Sequence, residues 1–352
     1  MADIQRQFET FINTIKLSGE EETLRQKRTA IVNALRTGLE RDFKARGEAV
    51  PTFTHFNQGS YSLKTGIKPE GSSNDYDIDV GIVFAENPSD HTDDPVKLKR
   101  WVRDALDGHT KDIRIKSPCV TVKYQAGYHV DLAIYAHPDK KTSGELPLSW
   151  GKEHGAVQEW QDNHPSELAQ RIKQTFPDKE QRRQFRRVLR ALKRWRDRKY
   201  KSATSHAAPV GVGLTVAGLT WFRPQIDTFN QTADDRLATE QFVRQLLANF
   251  RGGVWSSKDQ ASGRRLVVTL PFTPYKDVFE RINNGNMGKL EDFLKALLTD
   301  LETAGSVTSK KDACAAMRRQ FGPDFPEADD GDGTTEGSKK HPPVMVPSHT
   351  FG

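Results

Sequence analysis

Cysteine is nearly missing from this 352-residue chain, which has two, Cys119 and Cys314. Two distant thiols cannot build a disulfide framework and are too few for a zinc site, so a reducing cytoplasm with both thiols buried is expected. Long apolar runs are missing too. Nothing approaches the roughly 18 residues of a spanning helix. The start, Met1-Ala2-Asp3-Ile4-Gln5-Arg6, lacks the apolar stretch of a signal peptide, and no membrane partner is expected. There is no glycine-rich Walker or dinucleotide fingerprint, and no internal repeat. The histidines show no metal-ligand spacing, so His129, His154, His164 and His206 receive no role. A net charge of +6 is mild for the length. It suits nucleic acid or a triphosphate pocket equally, and the count does not decide.

What is present is a short turn and a set of acids. Gln58-Gly59-Ser60-Tyr61 places a hydroxyl and backbone N–H groups in a small-residue turn. Downstream, Asp77-Ile78-Asp79-Val80 sets two carboxylates two apart on an apolar strand, where alternation points both to one face. Like charges that close are costly unless a cation sits between them, and oxygen-only ligands suit Mg²⁺ or Mn²⁺. A third acid, Asp131, interrupts the apolar run His129-Val130-Asp131-Leu132-Ala133-Ile134. Strands disfavour Asp, so a ligand role would explain it, although alternation also allows a solvent-facing position. Asp75 alternates with Asp77 as well; Asp77 and Asp79 are preferred because Ile78 and Val80 flank them and the strand runs on to Phe84. Gly-Ser alone is an ordinary turn. Hard cation, phosphate cradle and carboxylates together describe attack of a hydroxyl on the α-phosphate of an NTP.

Hydrophobic content of 35% and charged content of 28% read as a globular protein, long enough for two packed lobes. Residues 4–45 read as helix, broken near Lys16-Leu17-Ser18-Gly19, with Leu24, Ile31, Leu35 and Leu39 at helical spacing. Strands are expected at 52–57 and 76–84, a helix at 95–107, and a hairpin from 119–124 and 128–136 around Gln125-Ala126-Gly127. From about residue 155 the pattern turns helical, at 180–201, 212–222, 240–250 and 289–303, with a strand at 265–272. Residues 322–352 are rich in glycine and proline and read as a flexible tail. The expected fold is α+β: a mixed sheet with flanking helices over residues 1–150, a helical second lobe over 151–321 that closes the nucleotide pocket, and the tail.

Residues 182–201 carry eleven Lys or Arg side chains against one acid, Asp197. Three readings stand open: a nucleic-acid-binding helix, a solvated charged face, or a helix from which one or two side chains reach phosphates.

These residues resemble the DNA polymerase β-like nucleotidyltransferases, and within them the cGAS/DncV-like group (CD-NTases), bacterial oligonucleotide cyclases of CBASS anti-phage defence. The matching text is Phe56-Asn57-Gln58-Gly59-Ser60-Tyr61-Ser62-Leu63-Lys64-Thr65-Gly66, Asp75-Tyr76-Asp77-Ile78-Asp79-Val80-Gly81, Pro118-Cys119-Val120-Thr121-Val122 and His129-Val130-Asp131-Leu132-Ala133. The basic run ending in Leu192-Lys193-Arg194-Trp195-Arg196-Asp197 is similar to the group's second-lobe helix. The resemblance implies a polymerase β-like core. It implies that Gln58, Gly59 and Ser60 hold a donor triphosphate, with Lys193 touching phosphate and Tyr61 stacking on a base. It further implies that Asp77, Asp79 and Asp131 bind two Mg²⁺ ions, Mn²⁺ being a substitute, and that ATP and GTP are joined into a cyclic di- or trinucleotide read by an effector protein. The terminal Gly352 fits capture by a companion ubiquitin-ligase-like enzyme. The animal relatives' zinc element has no counterpart here, which argues against activation by DNA. The competing expectations are transfer of a single nucleotide to an RNA, protein or small-molecule acceptor, and a catalytically dead scaffold that would have no use for three acids.

Overall fold

The computed structural model describes residues 1–17, 20–70, 77–125, 127–201, 207–227, 229–252 and 263–328. The expected tail with Gly352, and Asp75, lie outside these residues. So do the side chains of Leu24 and Asp77, although the backbone of both is described.

Helices α1 (Gln5–Ile15) and α2 (Glu20–Ala45) open the chain. Strand β1 (Phe53–Asn57), the short helix α3 (Gly59–Ser62) and β2 (Asp77–Phe84) follow. Next come α4 (Lys97–Ala105), β3 (Asp112–Ile115), β4 (Val120–Lys123) and β5 (His129–Ala136). The sheet order is β1-β2-β5-β4-β3, with β2 and β5 parallel and the other pairs antiparallel. Alternation sorts its two faces. Ile78, Val80, Ile82 and Phe84 of β2 and Val130, Leu132 and Ile134 of β5 are buried under Leu35 and Leu39 of α2 and Leu98 and Val102 of α4. The opposite face of the same strands carries Asp79, Asp131 and Tyr135. Helices thus cover one face and leave the acidic one for the site.

The sheet does not stop at residue 150. Strands β6 (Leu146–Gly151) and β7 (Gln158–Asn163) extend it from β5, so the expected lobe boundary falls inside β6. The alternating burial of Leu146 and Leu148 is the strand signal, obscured in sequence by Pro147 between them.

The second lobe is built around α6 (Lys179–Lys199), preceded by α5 (Glu167–Thr175). Phe185, Val188, Leu189, Leu192 and Trp195 of α6 are fully buried, the stripe its periodicity requires. Around it stand α7 (Gly211–Trp221), α8 (Asp235–Ala248), α9 (Asn284–Ser306) and α10 (Lys310–Phe321), with the two-residue strands β8 (Phe250–Arg251) and β9 (Arg265–Leu266). Helices α8 and α9 begin five residues earlier than expected because Asp234 and Asn283 cap them, accepting from Leu237 N and Asn286 N at 2.8 Å each. The strand expected over 265–272 pairs only at its first two residues. Helix α1 belongs to this lobe rather than to the sheet: Phe8 and Phe11 pack on Phe321 and Phe325, at the far end of the chain. Both cysteines are buried and neither is in a disulfide. Among the described residues no helix is long and apolar enough to cross a membrane.

Candidate active site

Between the lobes lies a cleft of about 980 Å³. Gln58, Gly59, Ser60 and Asp79 line it from the sheet side, and Lys193, Arg196 and Gly211 from the helical lobe.

Gly59 explains the local geometry. Its φ is +59°, a backbone conformation that side chains disfavour. A Cβ there would fall on the Asp79 carboxylate. Gln58 N also donates to Asp79 O at 3.1 Å, so the turn after β1 is laid directly on the acidic position of β2. Gly59 and Ser60 then begin α3, and Thr65 N returns to Ser60 O at 2.9 Å.

Asp79 and Asp131 are register partners on the parallel pair β2–β5, which sets their side chains on one face. Asp131 accepts from Thr121 Oγ1, its register partner on β4. Asp77 pairs in backbone register with His129, at the start of both strands. Among the described residues no three His, Cys, Asp or Glu side chains form a metal-ready group; the expected third carboxylate is that of Asp77. The negative field is felt nearby. Burial, reinforced by Asp131, pushes the Cys119 thiol up to about 12. Burial and Asp79 likewise push the Tyr135 hydroxyl up to about 12 against the hydrogen bond from Gln58. Oxygen donors from two adjacent strands suit a hard divalent cation.

Two expected ligand residues behave differently from their sequence reading. Tyr61 is not among the residues lining the cleft; its ring packs on the sheet-side core with α2 and α4. One helical step of about 100° separates it from Ser60, so the two face apart. Lys193 does line the cleft, but its Nζ donates to Thr65 O at 3.0 Å and Thr65 Oγ1 at 2.9 Å. Burial first, then Arg196 and Arg190, bring its pKa down to about 7.

Lys193 is one rung of a ladder. Arg186 Nε donates to Leu63 O at 3.2 Å, Arg190 Nη2 to Lys64 O at 2.6 Å, Arg194 Nη2 to Lys68 O at 2.9 Å, and Arg198 pairs with Glu70. Their spacing puts all five on one stripe of α6. The basic run is therefore occupied in holding residues 63–70, the segment leading away from Ser60, against the helical lobe. Arg187 turns elsewhere, to the buried Asp235 at 2.6 Å. Arg194 is buried and also lies 3.0 Å from Asp324. Replacing it by Met strands that carboxylate and frees Lys68 O, so Arg194→Met is expected to lower stability by about 3 kcal/mol in urea titration. A change below about 0.5 kcal/mol, the size of an exposed ion pair, would mean that this rung holds nothing in place.

Sequence reasoning missed Tyr135, Asn163 and Thr121. Gln58 Nε2 donates to Tyr135 OH at 2.6 Å, and Tyr135 OH reaches Asn163 Oδ1 at 3.5 Å, so a polar chain crosses the cleft floor. Tyr135 lies four residues beyond Asp131 on the same strand, and alternation alone puts both on one face.

A mixed sheet with one acidic face, a glycine-serine turn laid on it and a helical lobe across the cleft is the polymerase β-like nucleotidyltransferase architecture. Residues 53–135 match the family described as Cyclic GMP-AMP synthase DncV-like, nucleotidyltransferase domain. That segment is a DncV-like nucleotidyltransferase domain, and the resemblance read from the sequence holds at that level. A cyclic GMP-AMP synthase of Escherichia albertii is 28% identical over 167 residues, 46% of this chain and 35% of that protein. The match thus spans about a third of the curated relative's length. The crystal structure of the Vibrio cholerae DncV cyclic AMP-GMP synthase superposes with a TM-score of 0.68 at 16% identity, covering 93% of this chain and 98% of that one. The same protein in complex with the linear intermediate pppA(3′,5′)pG gives 0.65 at 18% identity, covering 89% and 93%. These likenesses establish the fold over nearly the whole chain.

Proposed function

We propose that this chain is a Mg²⁺-dependent nucleotidyltransferase that joins NTPs into a cyclic di- or trinucleotide messenger. The observation that carries the reading is the Asp79 carboxylate laid against Gly59 of the Ser60 turn, inside the cleft and in register with Asp131. Gly59 and Ser60 would cradle the donor triphosphate, with Gln58 held behind them by Tyr135. Asp79, Asp131 and Asp77 would hold two Mg²⁺ ions, or Mn²⁺. A bound cation of this kind lowers the pKa of the attacking hydroxyl and neutralises the leaving pyrophosphate. Thr121 fixes the orientation of Asp131, and the helical lobe across the cleft excludes water. The two relatives above are named as synthases that join adenine and guanine nucleotides, and the Vibrio cholerae protein was captured with a linear dinucleotide. ATP and GTP are therefore the substrates proposed here, in a cytoplasmic anti-phage setting with an effector reached through the diffusible product. Conjugation of Gly352 by a ubiquitin-ligase-like enzyme belongs to the same reading.

Transfer of a single nucleotide to a macromolecular acceptor rests mainly on the basic helix. Five of that helix's side chains are bonded to residues 63–70 instead, which weakens that alternative. Pure protein incubated with Mg²⁺ and radiolabelled NTPs, then phosphatase, decides: resistant label is expected, whereas label that appears only with an added acceptor supports the alternative.

Lys193 gives this reading a pH signature. With a pKa near 7 in the free protein, it is mostly neutral at pH 8. A triphosphate beside it favours the ammonium, so binding takes up a proton above pH 7. NTP affinity is expected to fall as pH rises from 7 toward 9, and to be highest below 7 where the charge is already present. Calorimetry at pH 8 in buffers of different ionisation enthalpy should show proton uptake in the wild type and none in Lys193→Met. Equal uptake in both would remove Lys193 from the phosphate site.

A further inference from the structure

One polar atom in the cleft wall serves neither the metal face nor the phosphate turn. The imidazole Nε2 of His164 is shut off from solvent and meets no hydrogen-bond partner among the described residues. His164 lines the cleft together with Asn163, Leu270 and Phe272. Its backbone is fixed: His164 O accepts from Glu167 N at 3.1 Å at the head of α5, and Asn163 just before it ends β7. The ring stands edge-on to Phe272, with centroids 5.9 Å apart and planes at 64°. Phe272 and Leu270 come from the helical lobe, where Tyr275 N donates to Phe272 O at 2.8 Å and Leu270 N to Lys276 O at 3.0 Å.

A buried nitrogen with no partner is costly, and folded proteins keep such atoms where a ligand satisfies them. Here it is aimed between an aromatic ring and an aliphatic wall, at the end of the polar chain Gln58–Tyr135–Asn163 that begins at the phosphate-cradling turn. An apolar slot with one convergent polar group recognises a flat heteroaromatic ligand. We infer that His164 and Phe272 form the base-reading wall of the cleft: a nucleobase packs on the Phe272 ring and its edge hydrogen-bonds to His164 Nε2. Resting on the NTP reading above, this assigns base selection to His164 and leaves the phosphates to the Ser60 turn. Either tautomer serves, since Nε2 donates or accepts according to the edge presented.

The test measures binding without turnover. Full-length wild type, His164→Ala and Phe272→Leu are titrated with non-hydrolysable analogues of the four NTPs and with inorganic tripolyphosphate, all with Mg²⁺. Circular dichroism confirms the fold of each variant. His164→Ala is expected to lose about tenfold in affinity for the preferred base or bases and to flatten the ranking among the four, the ratio that one hydrogen bond supports. Its affinity for tripolyphosphate should stay as in the wild type. Phe272→Leu should weaken all four analogues and spare tripolyphosphate. An unchanged ranking in His164→Ala overturns the inference, as does an equal loss for tripolyphosphate, which would mark a structural role. Should the Ala variant not fold, Phe272→Leu with wild-type affinity for every base overturns it. Base-selective binding lost in His164→Ala sustains the inference even if the wild type forms no product. Product formed with an unaltered ranking overturns the inference alone. A wild type that binds no nucleotide overturns both.

Discussion

Asp79→Asn is expected to cut NTP turnover about a thousandfold, roughly 4 kcal/mol of barrier, while leaving the melting temperature within a few degrees. The substitution keeps shape and removes charge. Asp79 is the one acid that both lines the cleft and touches the Gly59 turn, so metal and triphosphate meet at its carboxylate in the proposed complex. Asparagine offers one neutral oxygen where two charged ones stood, which weakens a hard-cation site severely. Steady-state rates with saturating Mg²⁺ and NTP check this. A variant with more than a tenth of wild-type rate would show that Asp79 is not a ligand in the reacting complex.

Gly59→Ala should be nearly as damaging, although it adds only a methyl group. Two costs coincide. The residue sits at φ +59°, where a side chain costs about 1–2 kcal/mol. Its Cβ would also overlap Asp79 Oδ2, so the carboxylate or the turn must shift by an ångström or more. A displacement of that size at a reacting centre costs about a hundredfold in rate. We expect kcat to drop by about that factor, with cooperative unfolding preserved at a slightly lower temperature. Near-normal activity would mean that the turn does not constrain Asp79. Gly66→Ala, whose new methyl would meet the movable Leu17 side chain, is a suitable control with a smaller effect.

Much of this site is legible in the amino-acid sequence. Asp77, Asp79 and Asp131 stand out because each acid breaks an apolar strand pattern, and the register Asp79 to Asp131 follows from two such strands running in parallel. The hairpin of β4 and β5 is visible in its two β-rich runs and the glycine between them. Less legible are features that depend on long-range partners. The basic helix offers the same sequence whether its arginines face water, phosphates or backbone carbonyls; only the fold shows Leu63, Lys64 and Lys68 carbonyls beneath them. Nearness to Ser60 suggests the cleft for Tyr61, but adjacency along a helix turns neighbours apart. Strands β6 and β7 escape a sequence reading because their burial is set by an edge pairing with β5 that local propensity does not encode. Packing of α1 beside α10, at the other end of the chain, is non-local for the same reason.

The central claim is that the acidic face of β2 and β5 and the Ser60 turn act on one nucleotide. Crystals of the protein grown with a non-hydrolysable NTP and Mn²⁺, measured near the manganese edge, test it directly. Anomalous density is expected between Asp79 and Asp131, with the triphosphate on the backbone N–H groups of Gly59 and Ser60. Manganese and nucleotide bound elsewhere, with the Asp131 carboxylate still turned to Thr121 and contacting no metal, would contradict it.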